Sequence, residues 1–410
     1  MRERTIRLEE EARTLGFSIV GVTAPDPTGH IPLYREWLRR QRHGEMHYLA
    51  REGALVRRAD LSTTMDGIRS VVAVAHEYYH RDREEQVGDP SRGIIARYAR
   101  GADYHRVVKK KLLALLEWLR REVPDVRGRA YVDTGPILER DLASRAGLGW
   151  FGRNTMLIHP RRGSYFFLGL LLLDTQLERS APPVDDHCGT CRACLDACPT
   201  GALLGRDANG APIMDARRCI SYLSIELRGP VPAELRPLMG NRIFGCDICQ
   251  EVCPFNARFA TETEEPRYAA RGPGQRPFGV EPESPSVGSH PGTDFPELVD
   301  LMGMNREDWD AFSRGSAIRR AGYEGFLRSV AVAIGNWLSG RDPVPSAAVE
   351  ALGLALRHES PLVRGHAAWA LGRTAAPASR LALAASLETE EDDFVRGELS
   401  AALNGSARAD

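Results

Sequence analysis

The residues with the clearest chemical signature are the cysteines, because all eight lie in one short segment near the middle of the chain. One run reads Cys-x2-Cys-x2-Cys-x3-Cys-Pro, and a later run reads Cys-x2-Cys-x3-Cys-Pro. Tight clustering in a large chain without a secretion signal favours metal ligation over disulfide bonding. The eight positions are Cys188, Cys191, Cys194, Cys198, Cys219, Cys246, Cys249 and Cys253.

The first run matches the ferredoxin pattern for two [4Fe–4S] clusters, in which the fourth cysteine of the run ligates the other cluster. Applied to this chain, the pattern assigns Cys188, Cys191, Cys194 and Cys253 to one cluster. It assigns Cys198, Cys219, Cys246 and Cys249 to the second cluster. Two structural zinc sites with four cysteines each are the alternative, but zinc motifs usually pair two Cys-x2-Cys knuckles. Two neighbouring clusters would form a path for single electrons.

The elements that must position these cysteines differ along the chain. Helices and strands alternate across residues 1–180, which predicts a layered α/β domain. Within it, Ser70–Ala75 and Phe166–Leu173 are predicted as buried strands, and Val107–Arg121 as an amphipathic helix. Residues 181–260 form the predicted cysteine domain. Residues 261–297 are rich in proline and glycine and are predicted to be an unpacked linker or mobile excursion, to which we assign no role.

The last segment, residues 298–410, is helical and weakly repetitive. Phe326–Asn336, Val363–Arg373 and Val395–Gly405 share a pattern of small and apolar residues at helical spacing. Small residues let helices stack closely, so the repeats predict a HEAT-like array whose faces are buried by neighbouring repeats. A plain helical bundle is the alternative.

Composition excludes several classes of protein. Hydrophobic residues make up 43% and charged residues 27% of the 410 residues, so global disorder is excluded. The net charge of −1 gives no general attraction to nucleic acid or membranes, and any such contact must come from a local patch. No apolar run approaches the ~20 residues of a membrane span, and the N-terminus is charged, so we expect a cytoplasmic protein. No GxGxxG or Walker sequence supports nucleotide binding by those routes.

Beyond the cysteines, the chain resembles the epoxyqueuosine reductase family. The resemblance is carried by the cysteine layout and by four further segments: Ala96–His105, Val132–Arg140, Gly147–Thr155 and Cys219–Glu226. It implies a multidomain α+β fold with a nitroreductase-like α/β cobalamin domain, a ferredoxin-like domain with two [4Fe–4S] clusters, and C-terminal HEAT-like repeats.

The same resemblance implies an activity and its partners. The implied reaction is the two-electron reduction of epoxyqueuosine to queuosine at the wobble position of tRNA. The implied cofactors are the two clusters and base-off cobalamin, and the partners are tRNA carrying epoxyqueuosine in its anticodon loop and an external one-electron reductant of the ferredoxin or flavodoxin type. We expect a monomer with no membrane partner.

Asp133 is the candidate proton donor. It follows a predicted strand and precedes Thr134-Gly-Pro, and opening an epoxide requires a local general acid. We expect burial beside a corrin to raise the pKa of this carboxyl and keep it protonated. The alternative is that Asp133 only caps the turn.

Other polar residues in the resembling segments are candidate ligands of cobalamin. Hydroxyl, amide and charged groups suit the amides and the phosphate of this cofactor. The candidates are Arg57, Arg97, Tyr98, Asp133, Asn154, Thr155, Ser221, Ser224 and Glu226, and hydrogen bonding within the loops is the alternative for those other than Asp133. Asp103-Tyr-His105 and Asp185-Asp-His187 begin the Asp-x-His-x-x-Gly motif that would supply histidine to cobalt, but Val108 and Thr190 occupy its glycine position. We therefore expect ordinary polar contacts from both histidines.

Basic residues on predicted helices are candidate contacts for tRNA phosphates, with solvated helix faces as the alternative. They are Lys109, Lys110, Lys111, Arg319, Arg320, Arg328 and Arg364.

Two rival functions remain open: a corrinoid iron–sulfur reductase of a small molecule, similar to reductive dehalogenases, and a ferredoxin-type electron carrier. The basic repeats disfavour the former, and the large cysteine-free N-terminal segment disfavours the latter.

Overall fold

The structure is a computed structural model that describes residues 1–82, 86, 88–180, 182–275 and 290–406. Its strands are β1 (Ile19–Thr23), β2 (Ser70–Glu77), β3 (Ile94–Ile95), β4 (Gly128–Tyr131), β5 (Trp150–Phe151), β6 (Leu157–Ile158), β7 (Phe166–Leu173), β8 (Leu203–Arg206), β9 (Pro212–Met214) and β10 (Arg242–Phe244). The α-helices with described bounds are α1 (Arg2–Thr14), α2 (Ile31–Arg39), α3 (Glu52–Ala59), α4 (Tyr104–Glu122), α5 (Glu139–Arg145), α6 (Ala193–Asp196), α7 (Ile220–Ile225), α8 (Ile248–Glu251), α9 (Pro254–Phe259), α10 (Leu298–Met302), α11 (Arg306–Ser313), α12 (Tyr323–Leu338), α13 (Ser346–Ala355), α14 (Pro361–Leu371), α15 (Pro377–Thr389) and α16 (Asp393–Ser406).

The chain forms two compact units that are interleaved along the sequence. The first consists of Met1–His80, Asp103–Arg217 and Asp247–Tyr268. The second consists of Arg81–Ala102, Arg218–Cys246 and Ala269–Asp410. The cysteine segment therefore contributes to both units, and the sequential domain boundaries remain a prediction.

A four-stranded sheet in the order β1-β2-β7-β4 forms the centre of the first unit. All three strand pairings are antiparallel, with Val72 opposite Leu171 in the central pair. Helix α4 packs on this sheet through its predicted leucine stripe, and each of these leucines is at most 2% exposed: Leu112, Leu115, Leu116 and Leu119. Gly169 permits the close approach, because a Cβ there would lie 2.9 Å from Val108 Cγ1.

Because the sheet is antiparallel, Asp133 is not positioned as it would be in a parallel α/β sheet. In an open parallel α/β sheet, a carboxyl that follows a strand would face a ligand bound beyond the carboxyl ends of the strands. Here β4 is an edge strand that ends at Tyr131, and Asp133 lies in the loop between β4 and α5. That loop, rather than a crevice of a parallel sheet, presents the carboxyl.

The three repeat copies in the second unit each form a helix, as predicted: α12, α14 and α16. Helix α12 packs on α14, and α14 packs on α16. At Gly335 a Cβ would lie 2.7 Å from the Trp369 ring and 2.9 Å from Ala370 Cα, and at Gly372 it would lie 2.6 Å from Ala402 Cβ. The small residues therefore allow the close helix stacking that the sequence predicts.

The described ends of the predicted linker are packed. Arg271 is 2% exposed, and its Nη2 donates to the carbonyl oxygen of Phe312 at 2.6 Å. Thr293 is fully buried and donates its hydroxyl to the carbonyl oxygen of Arg100 at 2.6 Å. The prediction of an unpacked linker is therefore wrong for these two ends, because proline and glycine content does not reveal buried polar anchors. Residues 276–289 of the predicted linker lie outside the described residues.

A buried ion pair ties α16 to the 3₁₀ turn that begins at Pro237. Arg236 donates two hydrogen bonds to the Glu398 carboxylate, at 2.8 and 2.6 Å, and the side chains are 2% and 16% exposed.

We expect Glu398→Ala to lower the free energy of unfolding by about 3–5 kcal/mol, because it leaves the Arg236 charge buried and unpaired. Chemical denaturation followed by circular dichroism tests this. Glu388→Ala, at an exposed position on α15, is the matched control and should change the value by less than about 0.5 kcal/mol. Equal effects of the two changes would contradict the interpretation.

In the described part of the chain, no helix combines the length and apolar character needed to cross a membrane.

Candidate functional site

The four cysteines predicted to hold the first cluster all belong to the first unit, and their thiols lie near one another. Burial raises the pKa of Cys194 to about 11, and the nearby Cys188, Cys253 and Cys191 add to the rise. Burial also raises the pKa of Cys253, which is 7% exposed. Thiols gathered in this way repel one another when ionised, and a bound metal centre removes that repulsion. The donor set therefore fits an iron–sulfur cluster.

The second predicted set is divided between the units. Cys198 and Cys249 belong to the first unit, and Cys219 and Cys246 belong to the second. In the second unit, Ser224 Oγ of α7 accepts a hydrogen bond from Gly245 N at 2.9 Å. This bond ties the helix that follows Cys219 to the residue before Cys246. The use of all four thiols as one ligand set remains a prediction.

Asp133 lies at the centre of a polar network in the first unit. Tyr104 donates its hydroxyl to Asp133 Oδ2 at 2.9 Å, and His105 Nε2 lies 3.5 Å from the same oxygen. The other ring nitrogen of His105 lies 2.7 Å from Asp103 Oδ1. The Tyr104 ring stacks between Phe167 and His105, with centroid distances of 4.1 and 4.0 Å. The start of α4 therefore positions a hydroxyl and an imidazole against the Asp133 carboxyl.

The backbone at this site is strained. Asp133 has φ +56° and Thr155 has φ +66°, a conformation that is rare for a β-branched residue. Arg140 connects the two, because its guanidinium donates to the carbonyl oxygen of Thr155 and its charge lowers the pKa of Asp133. Backbone strain of this kind concentrates at active sites.

The protonation pattern differs from the expected one. Hydrogen bonding from His105 lowers the pKa of Asp133; desolvation opposes this shift, and the Tyr104 hydrogen bond reinforces it. Desolvation is also the largest single influence on His105 and opposes its charged form, yet the combined hydrogen bonds and charges of Asp103 and Asp133 raise its pKa to about 9. Charged and hydrogen-bonding partners thus outweigh burial at Asp133, and the raised pKa that we expect for this carboxyl beside a corrin remains a prediction. At neutral pH, His105 holds the proton and Asp133 is ionised.

Glu139 is a second group that holds a proton at this site. Its Oε1 accepts a hydrogen bond from the backbone N–H of Asp133 at 2.6 Å. Burial raises the pKa of Glu139 to about 8, and the Asp133 carboxylate adds to the rise. The Asp133 side chain itself is 68% exposed although surrounding protein desolvates it.

Several predicted cobalamin ligands are occupied by other partners. Ser224 is fully buried and donates to the carbonyl oxygen of Ile220 at 2.7 Å. Glu226 pairs with Arg320 at 2.8 Å, and Arg97 pairs with Asp82. Sequence reasoning identified polar residue types in these segments but could not show which of them the fold itself uses.

Asn154 and Thr155 also have structural contacts. Asn154 is 2% exposed, and its Nδ2 donates to the carbonyl oxygen of Cys249 at 3.2 Å, so it supports a cysteine-bearing loop. Thr155 is 7% exposed, with its hydroxyl 3.6 Å from Met214 Sδ. Arg57 on α3 is exposed, and Tyr98 and Ser221 are half-buried, with the Tyr98 ring 6.2 Å from Phe244.

The predicted tRNA contacts divide in the same way. Arg328 is fully buried and donates to the backbone carbonyl oxygens of Leu227 and Gly229, so its assignment to a tRNA surface is wrong. The Arg364 side chain is 17% exposed and pairs with Glu390 at 2.7 Å.

Among the other basic candidates, all except Lys111 are exposed to solvent. The Lys111 side chain is 18% exposed and lies 3.2 Å from Glu265. Arg319 and Arg320 are about half exposed and pair with Asp310 and Glu226. Lys109 and Lys110 are exposed on α4.

Sequence reasoning missed three residues that the structure brings into these sites. Tyr104 and Glu139 both bond Asp133, and Trp150 donates its indole N–H to Cys188 Sγ at 3.4 Å. Tyr104 directly precedes the candidate His105 in the sequence, and this offered a weak signal for Tyr104. No sequence rule relates Glu139 to the backbone of Asp133 or Trp150 to a distant cysteine.

Comparison with known protein families agrees with the cysteine pattern and the helical repeats. A family model described as epoxyqueuosine reductase QueG matches residues 58–134. A 4Fe-4S double cluster binding domain matches residues 187–256, which favours iron–sulfur clusters over zinc. HEAT repeats match residues 323–404, which confirms the predicted HEAT-like repeats over a plain bundle.

Curated relatives and solved structures match over nearly the whole chain. An epoxyqueuosine reductase of Pseudomonas aeruginosa is 40% identical over 368 residues, which cover 89% of this chain and 93% of the relative. That of Escherichia coli is 38% identical over 371 residues, covering 90% and 88%. A crystal structure of epoxyqueuosine reductase with an epoxyqueuosine-modified stem loop of tyrosine tRNA has a TM-score of 0.83 at 28% identity, covering 99% of each chain. A Bacillus subtilis structure, with its catalytic aspartate loop swung out of the active site, has a TM-score of 0.82 at 27% identity, covering 98% of this chain and 99% of that one. Similarity of this extent shows that the chain belongs to the epoxyqueuosine reductase family.

Proposed function

We propose that the protein reduces epoxyqueuosine to queuosine at the wobble position of tRNA. Both carbon–oxygen bonds of the epoxide break, a carbon–carbon double bond forms, and two electrons and two protons convert the oxygen to water. Family membership supports this reaction, and the observation that carries its proton chemistry is the network of Tyr104, His105 and Glu139 around Asp133.

The proposed cofactors are two [4Fe–4S] clusters and a base-off cobalamin. When bound, they would supply the two electrons one at a time. The ligand sets are those of the cysteine pattern, with Cys188, Cys191, Cys194 and Cys253 on one cluster and the remaining four thiols on the other. Arg57, Tyr98, Thr155 and Ser221 stay candidates for cobalamin contacts, as does Asp133. The nitroreductase-like character of the cobalamin domain is part of the same proposal.

Asp133 delivers a proton to the departing oxygen in this proposal. Tyr104 orients the carboxyl, and His105 stores the proton at Nε2, 3.5 Å from Asp133 Oδ2. Distances of this length often shorten when a site is filled. Asp133 therefore passes on the proton that His105 holds, and Glu139 keeps the loop in place through the backbone N–H of Asp133.

The pH dependence follows from the charge on His105. Because its pKa is about 9 rather than 6.5, the stabilising contacts of the charged ring with Asp103 and Asp133 are complete below pH 6.5 and are lost as the pH rises through 9. We expect single-turnover rates to fall over that range. Asp103→Asn should move this alkaline limit to lower pH, because the ring loses a charged partner.

Glu139→Gln is the control for this prediction, since Glu139 itself has a pKa of about 8. It preserves the acceptor for the Asp133 N–H and should leave the limit set by His105 in place. Coincident profiles of Asp103→Asn and the unsubstituted enzyme would contradict the proton-storage role.

The proposed partner is tRNA with epoxyqueuosine in its anticodon loop. Lys109 and Lys110 are the best of the predicted phosphate contacts, because both are exposed on the helix that begins with Tyr104 and His105. We also propose a cytoplasmic monomer that is recharged by a one-electron reductant of the ferredoxin or flavodoxin type.

The direct test is anaerobic turnover of an epoxyqueuosine-containing tRNA stem loop by the chemically reduced enzyme. Mass spectrometry of the nucleoside should detect the loss of one oxygen atom. Free epoxyqueuosine nucleoside should react much more slowly. Equal rates on the stem loop and the nucleoside would favour a small-molecule reductase, and no reaction with either would overturn the proposal.

A further inference from the structure

Trp150 is a buried side chain with a polar contact that the proposed proton chemistry does not use. It is 2% exposed, and its Nε1 donates to Cys188 Sγ at 3.4 Å. The contact lies within the first unit, in an apolar cluster that contains Ile158 and Cys253. The only hydrogen-bonding atom of this indole is therefore directed at a candidate cluster ligand.

The fold holds this indole in one position. Trp150 pairs with Ile158 in the β5–β6 hairpin, and the preceding Gly149 has φ +155°. A Cβ at Gly149 would lie 2.3 Å from the carbonyl oxygen of Ile158, so the close approach requires glycine. Ser144 Oγ donates to the carbonyl oxygen of Gly149 at 3.0 Å. The backbone directly before Trp150 is thus packed against Ile158 and hydrogen-bonded to Ser144.

Aromatic contacts fix the ring itself. Phe255 and His187 meet it edge to face, with centroid distances of 4.8 and 5.0 Å. Phe255 follows Cys253 closely, and the backbone N–H groups of Phe255 and Asn256 lower the pKa of the Cys253 thiol. Backbone N–H groups therefore reach the sulfurs of Cys194 and Cys253, and Trp150 adds a side-chain donor at Cys188.

A hydrogen bond to a ligand sulfur affects the two redox states of a cluster unequally. The reduced cluster carries one more negative charge, so an N–H donor stabilises it more than the oxidised cluster and raises the reduction potential. Low exposure of the contact to water strengthens this difference.

We propose that Trp150 raises the reduction potential of the cluster held by Cys188, Cys191, Cys194 and Cys253 by donating its indole N–H to the Cys188 sulfur. Trp150 is a positioning and tuning residue and takes no part in bond making. The inference rests on the proposed cluster ligand set.

The test is Trp150→Phe in the full-length, cluster-loaded protein, with potentials measured by redox titration and electron paramagnetic resonance. The change keeps an aromatic ring in the apolar cluster and removes the N–H. We expect the equilibrium constant for reduction of this cluster to fall about tenfold, a shift of about 59 mV to lower potential for one electron. The potential of the second cluster should stay unchanged.

Phe255→Leu is the matched control, because it disturbs the packing around Trp150 but keeps every N–H donor. An unchanged potential in Trp150→Phe, or an equal shift in both variants, would overturn the inference. If Trp150→Phe does not retain iron, the unsubstituted protein provides the answer through isotopic labelling of the indole nitrogens. Hyperfine coupling of one indole nitrogen to the reduced cluster supports the inference, and its absence overturns it. Failure of the unsubstituted protein to bind any cluster would instead overturn the proposed function.

Discussion

Asp133→Asn is expected to lower the rate of epoxyqueuosine reduction by about 10²–10⁴-fold, the usual contribution of a general acid. The amide has the shape of the carboxyl and can still accept the Tyr104 hydrogen bond, but it cannot relay a proton from His105. Iron content and affinity for the tRNA stem loop should not change, because Asp133 is assigned neither role. Single-turnover rates on the stem loop, measured beside iron content and binding, test the prediction.

Asp125→Asn is a matched control for this substitution. Asp125 also has a positive φ, +63°, and it is exposed in the turn after α4. It should leave the rate within about twofold, as is usual for surface changes. A rate for Asp133→Asn within that same range would remove the proton-delivery role and leave Asp133 as a turn residue.

Substitution of one cysteine in either ligand set should abolish turnover, because loss of a cluster interrupts the path for electrons. Cys194→Ser and Cys253→Ser should give the same result, since their thiols lie together in the first unit. Each should lower the iron content from about eight to about four per chain and remove the same paramagnetic signal. Cys198→Ser and Cys249→Ser should both remove the other signal.

The pairing of phenotypes distinguishes the crossed ligand assignment from an uncrossed one. If Cys253→Ser removed the same signal as Cys249→Ser, the second run of cysteines would hold its own cluster and the assignment would be wrong. Retention of both signals in Cys198→Ser would contradict the assignment as well.

Motifs with short spacing were the part of the molecule that sequence could predict best. The grouping of Cys188, Cys191 and Cys194 with the distant Cys253 is predicted by one ferredoxin pattern, and in the structure the other three cysteines are near enough to raise the pKa of Cys194. The leucine stripe of α4 and the repeat helices with their small residues are equally local, since one face of one helix defines each of them.

What sequence could not predict depends on partners that are distant along the chain. Arg328 and Arg364 are basic residues on helices, and only the fold shows that backbone carbonyls and Glu390 already bind them. The raised pKa of Asp133 is predicted for burial beside a corrin, and sequence could not show that two partners on α4 lower that pKa within the fold. Trp150 and Glu139 lie in segments that carry the family resemblance, but no pattern along the sequence relates either residue to the partner that it contacts in the fold.

The central claim is that eight thiolates hold two clusters that supply electrons to a corrin. The most direct measurement is the metal content of anaerobically purified protein after incubation with cobalamin, combined with its visible and paramagnetic spectra. About eight irons and about one cobalt per chain, with cluster signals that appear on reduction, are expected. Zinc in place of iron, or failure to retain cobalamin, would contradict the account.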